Sequence, residues 1–268
     1  MLKNFLFITV FSLLFVGAKA QESGIKNSWT MGYGNFYLRD SYLSELDYLG
    51  WNLMWEAQHS ASFKKSKNLR WKNENSFSYG YTINRPATAV IMYISGNLGF
   101  GVSYNHLIGK RLTFNYGGYL SLFAAGKYNS RNVNNIASAD ANLLLNTDFS
   151  AQYRLKFKKI HLVFNDNIQI PVVGAMFVPE MGALYYEFSL GKWQNAFHFS
   201  SFHNRFGVKN RLNVDLEFSK IILRLQAMQN FQKWNANNLN FSILQYNFGA
   251  GIVIYLENVT KKNFLGNF

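Results

Sequence analysis

The sequence predicts an all-β protein, a transmembrane antiparallel up-and-down β-barrel of about twelve strands behind an N-terminal signal peptide. Three observations carry this. Over long stretches every second residue is apolar: Val90, Met92, Ile94, Leu98, Phe100, Val102 and Tyr104 hold one face, while Ser95, Asn97, Gly99, Gly101, Ser103 and Asn105 hold the other. Side chains alternate across a strand, so this ribbon is greasy on one side and wet on the other. At about 3.3 Å per residue it is long for a soluble strand and suits one tilted across a membrane. The second observation is composition: aromatics make up 18% of the chain, with 25 Phe, 16 Tyr and 6 Trp against only three Pro, the supply that a lipid-facing band with aromatic girdles consumes. The third lies at the start. Lys3, an apolar run from Phe5 to Val16 and Ala18-Lys19-Ala20 before Gln21 form a secretory signal over residues 1–20, leaving 21–268 as one barrel domain. Cys is absent, which removes disulfides and thiolate metal sites.

Taken in order, the alternation predicts strands near residues 28–38, 48–63, 69–83, 89–105, 111–125, 139–156, 160–170, 183–190, 192–203, 211–219, 221–231 and 239–256. In the sixth, Leu143, Leu145, Phe149, Ala151, Tyr153 and Leu155 oppose Asn142, Asn146, Asp148, Ser150, Gln152 and Arg154. In the tenth, Leu212, Val214, Leu216 and Phe218 oppose Asn213, Asp215 and Glu217. The last carries Tyr246, Phe248, Ala250, Ile252, Ile254 and Leu256 outward. The tight Leu190-Gly191-Lys192-Trp193 hairpin leaves open a merger of its two strands, with ten or fourteen as the alternative counts. Connections after even strands (64–68, 106–110, 157–159, 191 and 220) are short; those after odd strands (39–47, 126–138, 171–182 and 204–210) are longer. That asymmetry predicts short periplasmic turns, long outer loops and both termini on the periplasmic side.

The net charge of +13 raises nucleic acid as a partner, but its placement argues against one. Lys64, Lys65, Lys67 and Arg70, then Lys110 and Arg111, then Lys156, Lys158 and Lys159 fall at three successive turns, and Lys192, Lys220, Lys261 and Lys262 at further strand ends on the same side. One basic rim predicts anionic outer-membrane lipid headgroups as partners, and no nucleic acid.

The segment from Tyr33 to Gly50 carries Asp40-Ser41-Tyr42-Leu43-Ser44-Glu45-Leu46-Asp47-Tyr48-Leu49-Gly50. It resembles the first hairpin of an uncharacterised family of Bacteroidetes outer-membrane proteins, with its Asp-Ser/Thr-Tyr-Leu-Ser-Pro-Leu-x-Tyr-x-Gly motif. Glu45 stands here where that family usually has Pro. The resemblance implies an outer-membrane barrel of unassigned activity and transfers no catalytic residue. The motif residues Asp40, Tyr42, Leu43, Ser44, Leu46, Tyr48 and Gly50 are expected in an outer loop folded over the barrel mouth. The stretch from Asn247 to Ile254 resembles the closing-strand signal read by the barrel-assembly machinery, which implies that machinery as a partner during insertion.

For chemistry, the sharpest constellation is His198-Phe199-Ser200. A His and a Ser two apart on a strand suit a base and its nucleophile, with Asp215 as the orienting acid, and make an acyl esterase acting on lipid the alternative function. Against it, alternation turns Phe197 and Phe199 to lipid and the pair into the lumen. The five His (His59, His106, His161, His198 and His203) show no ligand spacing, so no metal and no cofactor are expected. Inward-facing Glu56, Lys72, Glu74, Asp148, Arg154, Glu187, Asp215, Glu217 and Arg224 are expected to pair in a lumen network, because unpaired buried charge is expensive. Two polar residues break the outward face, Asp166 and His59, and a bulge or a place near the rim is expected for each. The leading functional expectation is a narrow polar channel or a structural or docking component of the outer membrane.

Overall fold

The computed structural model describes residues 25–63, 65–109, 111–131, 136–157, 160–183, 190–191, 193, 195–218 and 222–256. The signal at 1–20, Glu187 and the predicted strand at 183–190, apart from Ala183 and Leu190, lie outside them. Eleven strands form one antiparallel sheet: β1 (Ile25–Asp40), β2 (Ser44–Phe63), β3 (Ser66–Asn84), β4 (Val90–Ile108), β5 (Leu112–Asn129), β6 (Ala137–Phe157), β7 (Ile160–Phe177), β8 (Phe197–Ser201), β9 (Arg205–Glu217), β10 (Ile222–Ala236) and β11 (Leu239–Leu256). Consecutive strands pair throughout, except that β8 and β9 both pair β7; β1 pairs β11 and β6 pairs β7, so the sheet closes on itself. Closure removes the open sheet edges, apart from the interruption between β8 and β9.

Among the described residues the wall counts ten strands, where the sequence predicts about twelve. β8 and β9 both run antiparallel to β7 and share it end to end: β9 pairs His161 to Gln169, and the five residues of β8 pair Val173 to Phe177. They are one interrupted strand, where the sequence suggested two separated by an outer loop at 204–210. The predicted outer loops also shrink. β1 and β2 are joined by residues 41–43 alone, β5 runs to Asn129, and β7 continues through Pro171 to Phe177. The reason is that Asp, Asn and Ser near strand ends, read as turn residues, are inward strand positions that satisfy one another. Pro171 is accommodated by a bulge, where the register against β6 shifts between Leu145 and Asn146.

Both described ends of the wall, Ile25 and Leu256, lie at one rim (here the terminal rim) with Lys65, Arg111 and Lys156. Gly191 and Trp193 fall between β7 and β8 at the opposite, far rim; Lys64, Lys110, Lys158, Lys159, Lys192, Lys220, Lys261 and Lys262 lie outside the described residues. The outer surface follows the alternation. Leu53, Phe77, Leu98, Phe100, Leu120, Leu122, Leu143, Leu145 and Phe149 are all exposed, a continuous apolar belt. Trp71, Tyr104 and Tyr116 edge it toward the terminal rim, and Trp51, Tyr81 and Tyr128 toward the far rim.

Of the two outward polar residues, His59 lies near the terminal rim and meets Asn27 Oδ1 through Nδ1 at 2.8 Å. Asp166 is neither bulged nor at the rim: it sits in regular register between Ala151 and Leu212. It is covered to 8% exposure and accepts a bond from Asn210 Nδ2 at 2.8 Å, which is what makes the carboxylate tolerable there.

Two adjacent glycines of β5 test the wall geometry. A Cβ on Gly117 would lie 2.1 Å from the Val102 carbonyl oxygen, whereas one on Gly118 meets nothing within 4 Å. Gly117→Ala is expected to lower the unfolding free energy of the barrel in detergent, read by urea titration, by about 1–3 kcal/mol, and Gly118→Ala to change it by less than about 0.5 kcal/mol. Equal unfolding free energies for the two variants would contradict this register.

Candidate functional site

Among the described residues, most of the buried polar and charged side chains converge inside the barrel, in layers. Nearest the terminal rim is a polar cavity of about 150 Å³, reaching exposed Asn68 and Leu107 at the mouth and bounded inward by Lys26, Lys72, Glu74, Arg211 and Arg224. In its wall Asp215, fully buried, accepts two bonds from Arg224, Nε at 2.7 Å and Nη2 at 2.8 Å, and one from Lys26 Nζ at 3.1 Å. Arg154 and Glu217 pair at 3.3 Å nearer the rim.

Above it a layer of charge crosses the lumen. Arg211 Nη1 lies 2.5 Å from Glu56 and 2.6 Å from Glu74, and Nη2 donates to Asn167 at 2.6 Å. Lys209 bridges the same two carboxylates at 3.0 and 2.8 Å, and Gln226 donates to Glu56 at 3.0 Å. Lys72 pairs with Asp148, which also accepts from Asn167 at 2.8 Å. In the ring of strands β9 stands opposite β3, so Arg211 and Lys209 tie one wall to the other. Of the nine charged residues singled out in sequence, eight lie in these clusters and Glu187 lies outside the described residues. Sequence reading missed Lys209, Arg211 and Lys26. The predicted loop at 204–210 removed the inward parity of Lys209, and the predicted first strand began at 28, after Lys26; Arg211 opened the predicted strand 211–219 and shares the parity of Asn213 and Asp215, but was not assigned to the network.

Beyond the ionic layer a second polar cavity of about 90 Å³ is lined by Ser76, Ser121, Asn142, Asn146, Arg205, Lys209 and Gln232, among others. The far end is then sealed by an apolar core. Phe36, Leu38, Tyr48, Ile91, Tyr93, Trp234, Phe241 and Ile243 pack inside the wall, joined by Tyr42 and Leu43 from the β1–β2 turn. Lys127, wholly buried, is held there by Asp40 and by Asp140 at 2.7 Å, with the Phe241 ring 4.5 Å away. This explains the motif. Asp40 accepts the Tyr42 N–H at 3.0 Å and shapes the turn; Tyr42 donates to the Ala183 carbonyl at 2.9 Å; Leu43 and Tyr48 fill the core. Ser44 Oγ accepts the Leu46 N–H at 3.2 Å, with Leu46 exposed, and a Cβ on Gly50 would lie 1.9 Å from the Tyr81 carbonyl.

The alternative triad does not assemble. His198 Nε2 meets the Val178 carbonyl at 3.3 Å, and among the described residues the buried Ser200 hydroxyl has no hydrogen-bond partner. Ser200 aligns with Gly174 of β7 and Asp215 with Val163, which separates them by roughly 35 Å along the strand. A different pair, Ser201 Oγ and His203 Nδ1, meets at 2.6 Å on the exposed far side; among the described residues no carboxylate hydrogen-bonds that His. No group of three or more His, Cys, Asp or Glu is placed to hold a metal among the described residues.

Removing a partner from a buried ion cluster strands the other charge. Arg211→Ala is expected to destabilise the detergent-solubilised barrel by about 3–5 kcal/mol in urea unfolding, partly recovered when Glu56→Gln is added. Arg154→Ala, whose pair is partly solvated, is expected to cost no more than about 1 kcal/mol. Equal losses for the two Arg variants would contradict the layered lumen.

The fold has counterparts among solved structures. The outer membrane protease OmpT from Escherichia coli matches with a TM-score of 0.50 at 6% identity, covering 91% of this chain and 100% of that one. The transport unit of the autotransporter AIDA-I from Escherichia coli matches at 0.49 and 10% identity, over 94% of this chain and 97% of that one. At such identities the likeness is one of fold. No curated protein matches the chain. The model of the family described as "Protein of unknown function (DUF3316)" matches residues 5–263, and the chain belongs to that family.

Proposed function

We propose that this protein is an integral outer-membrane β-barrel whose lumen does not conduct, a docking component that presents a polar cup and a basic rim to the periplasm. One observation carries the reading: the lumen is interrupted twice, by the Glu56–Arg211–Glu74 layer and by the apolar core around Phe36, Ile91 and Ile243. Ten strands enclose little more space than the eight that side chains fill, so two such layers suffice to block it. Of the two expectations drawn from sequence, channel and docking component, the second is the one these layers support. The exposed belt supports the membrane location, since a contiguous apolar band of this size is not left to water. Export by the signal at residues 1–20 and insertion by the barrel-assembly machinery belong to the same reading. So does contact of Lys65, Arg111 and Lys156 with anionic headgroups of the inner leaflet.

Two measurements check it. In planar bilayers the purified chain is expected to show no stable conductance; steady ohmic steps would overturn the closed lumen. Leu98→Arg, in mid-belt, is expected to lower folding stability in lipid vesicles by about 2–4 kcal/mol, while Asn97→Arg on the inner face lacks that lipid penalty. An unchanged Leu98→Arg would place the belt out of the bilayer.

A further inference from the structure

The wall has one seam. Between the β7–β9 pairing, which ends at Gln169 opposite Lys209, and the β7–β8 pairing, which begins at Val173 opposite Ser201, three residues of β7 face seven of the other strand. Ile170, Pro171 and Val172 have no ladder partner on that side, and Pro171 has no N–H to give. On its other side β7 is bulged at the same place. What closes the wall here is contact: a Cβ on Gly207 would meet Pro171 Cγ at 3.3 Å.

Different chemistry flanks the seam on its two sides. Inside lies the second polar cavity, to which Pro171, Gly207 and Arg205 all contribute, with Arg205 and Lys209 as its charged lining among the described residues. Arg205 is 4% exposed; its Nη2 donates to Gln232 at 2.6 Å, while among the described residues Nε and Nη1 have no hydrogen-bond partner. A buried guanidinium with two idle donors is costly unless an anion takes them. Outside, Phe197, Phe199, Phe202 and Phe206 stand about half to two-thirds exposed around the same interruption.

We propose that this seam is a lateral portal for a single-chain anionic amphiphile, a long-chain carboxylate whose headgroup passes between Pro171 and Gly207 to Arg205 while its tail lies along the outer phenylalanines. The portal rests on the membrane location proposed above. It requires nothing of the terminal cup, because the ionic layer separates the two cavities. An opening of the seam breaks no ladder bond, since Ile170 to Val172 make none there.

The full chain in nanodiscs of phosphatidylcholine, titrated with oleate by calorimetry, tests this. About one oleate is expected per barrel, with affinity weakened about tenfold or more in Arg205→Gln and kept in Arg205→Lys. Because the chain has no Cys, Pro171→Cys with Gly207→Cys supplies a single lock: oxidation is expected to abolish binding and reduction to restore it. Oleate affinity unchanged in Arg205→Gln, or unchanged by closing the lock, overturns the portal. Acetate bound at Arg205 regardless of the lock overturns it too, as that site would fill from the aqueous lumen. Oleyl alcohol binding as tightly as oleate overturns the role of the guanidinium. Heat-modifiable migration on gels reports whether each variant is folded, and the lock is read on one sample before and after reductant, so a poorly folding Arg205→Gln leaves the decision to it. Absence from membranes altogether would appear in the Leu98→Arg comparison and not here.

Discussion

A single guanidinium holds the middle of this barrel. Arg211 reaches from β9 to carboxylates on β2 and β3 across the lumen, and the layer it forms with Lys209 divides the interior in two. Burying these charges is expensive, and Asn167, Gln169 and Gln226 offset it with further bonds, although Arg211 Nε has no hydrogen-bond partner among the described residues. The arrangement therefore demands a particular register. A slip of one residue along β9 would turn Lys209 and Arg211 to the outer surface and leave Glu56 and Glu74 unpaired. The ionic layer fixes the wall as much as the wall positions the layer.

Much of the wall was legible in the sequence, because alternation is enforced wherever one face meets an apolar exterior and the other a polar lumen. The inward parity of Asp148, Asp215 and Glu217 and the outward parity of Leu143 and Phe248 needed no more than that. Legibility failed where the two faces stop differing. At the far end Phe36 and Leu38, Ile91 and Tyr93, and Phe241 and Ile243 point inward into an apolar core, so the runs there are apolar on both sides. The available signal was that loss of alternation, which points to a filled mouth and not to a pore.

The strand count failed for a related reason. Asn204, Lys209 and Asn210 look like loop residues, yet Lys209 belongs to the ionic layer and Asn210 supports Asp166. Polar residues paired across the lumen carry no local mark of their partners, which sit more than a hundred positions away in sequence. Lys26 with Asp215 is of the same kind, and Lys127 with Asp40, 87 positions apart, is nearly so. The family motif at residues 40–50 acquires a physical meaning only in the fold, as the turn that stoppers the far mouth.

Substituted-cysteine labelling from the two aqueous sides tests the divided lumen most directly, in a chain with no Cys of its own. Ser60→Cys lines the terminal cavity and Ser76→Cys the one beyond the ionic layer. In oriented proteoliposomes a charged, membrane-impermeant thiol reagent is predicted to modify Ser60→Cys only from the terminal side and Ser76→Cys from neither. Rapid modification of Ser76→Cys from the terminal side, or of Ser60→Cys from the far side, would contradict the account.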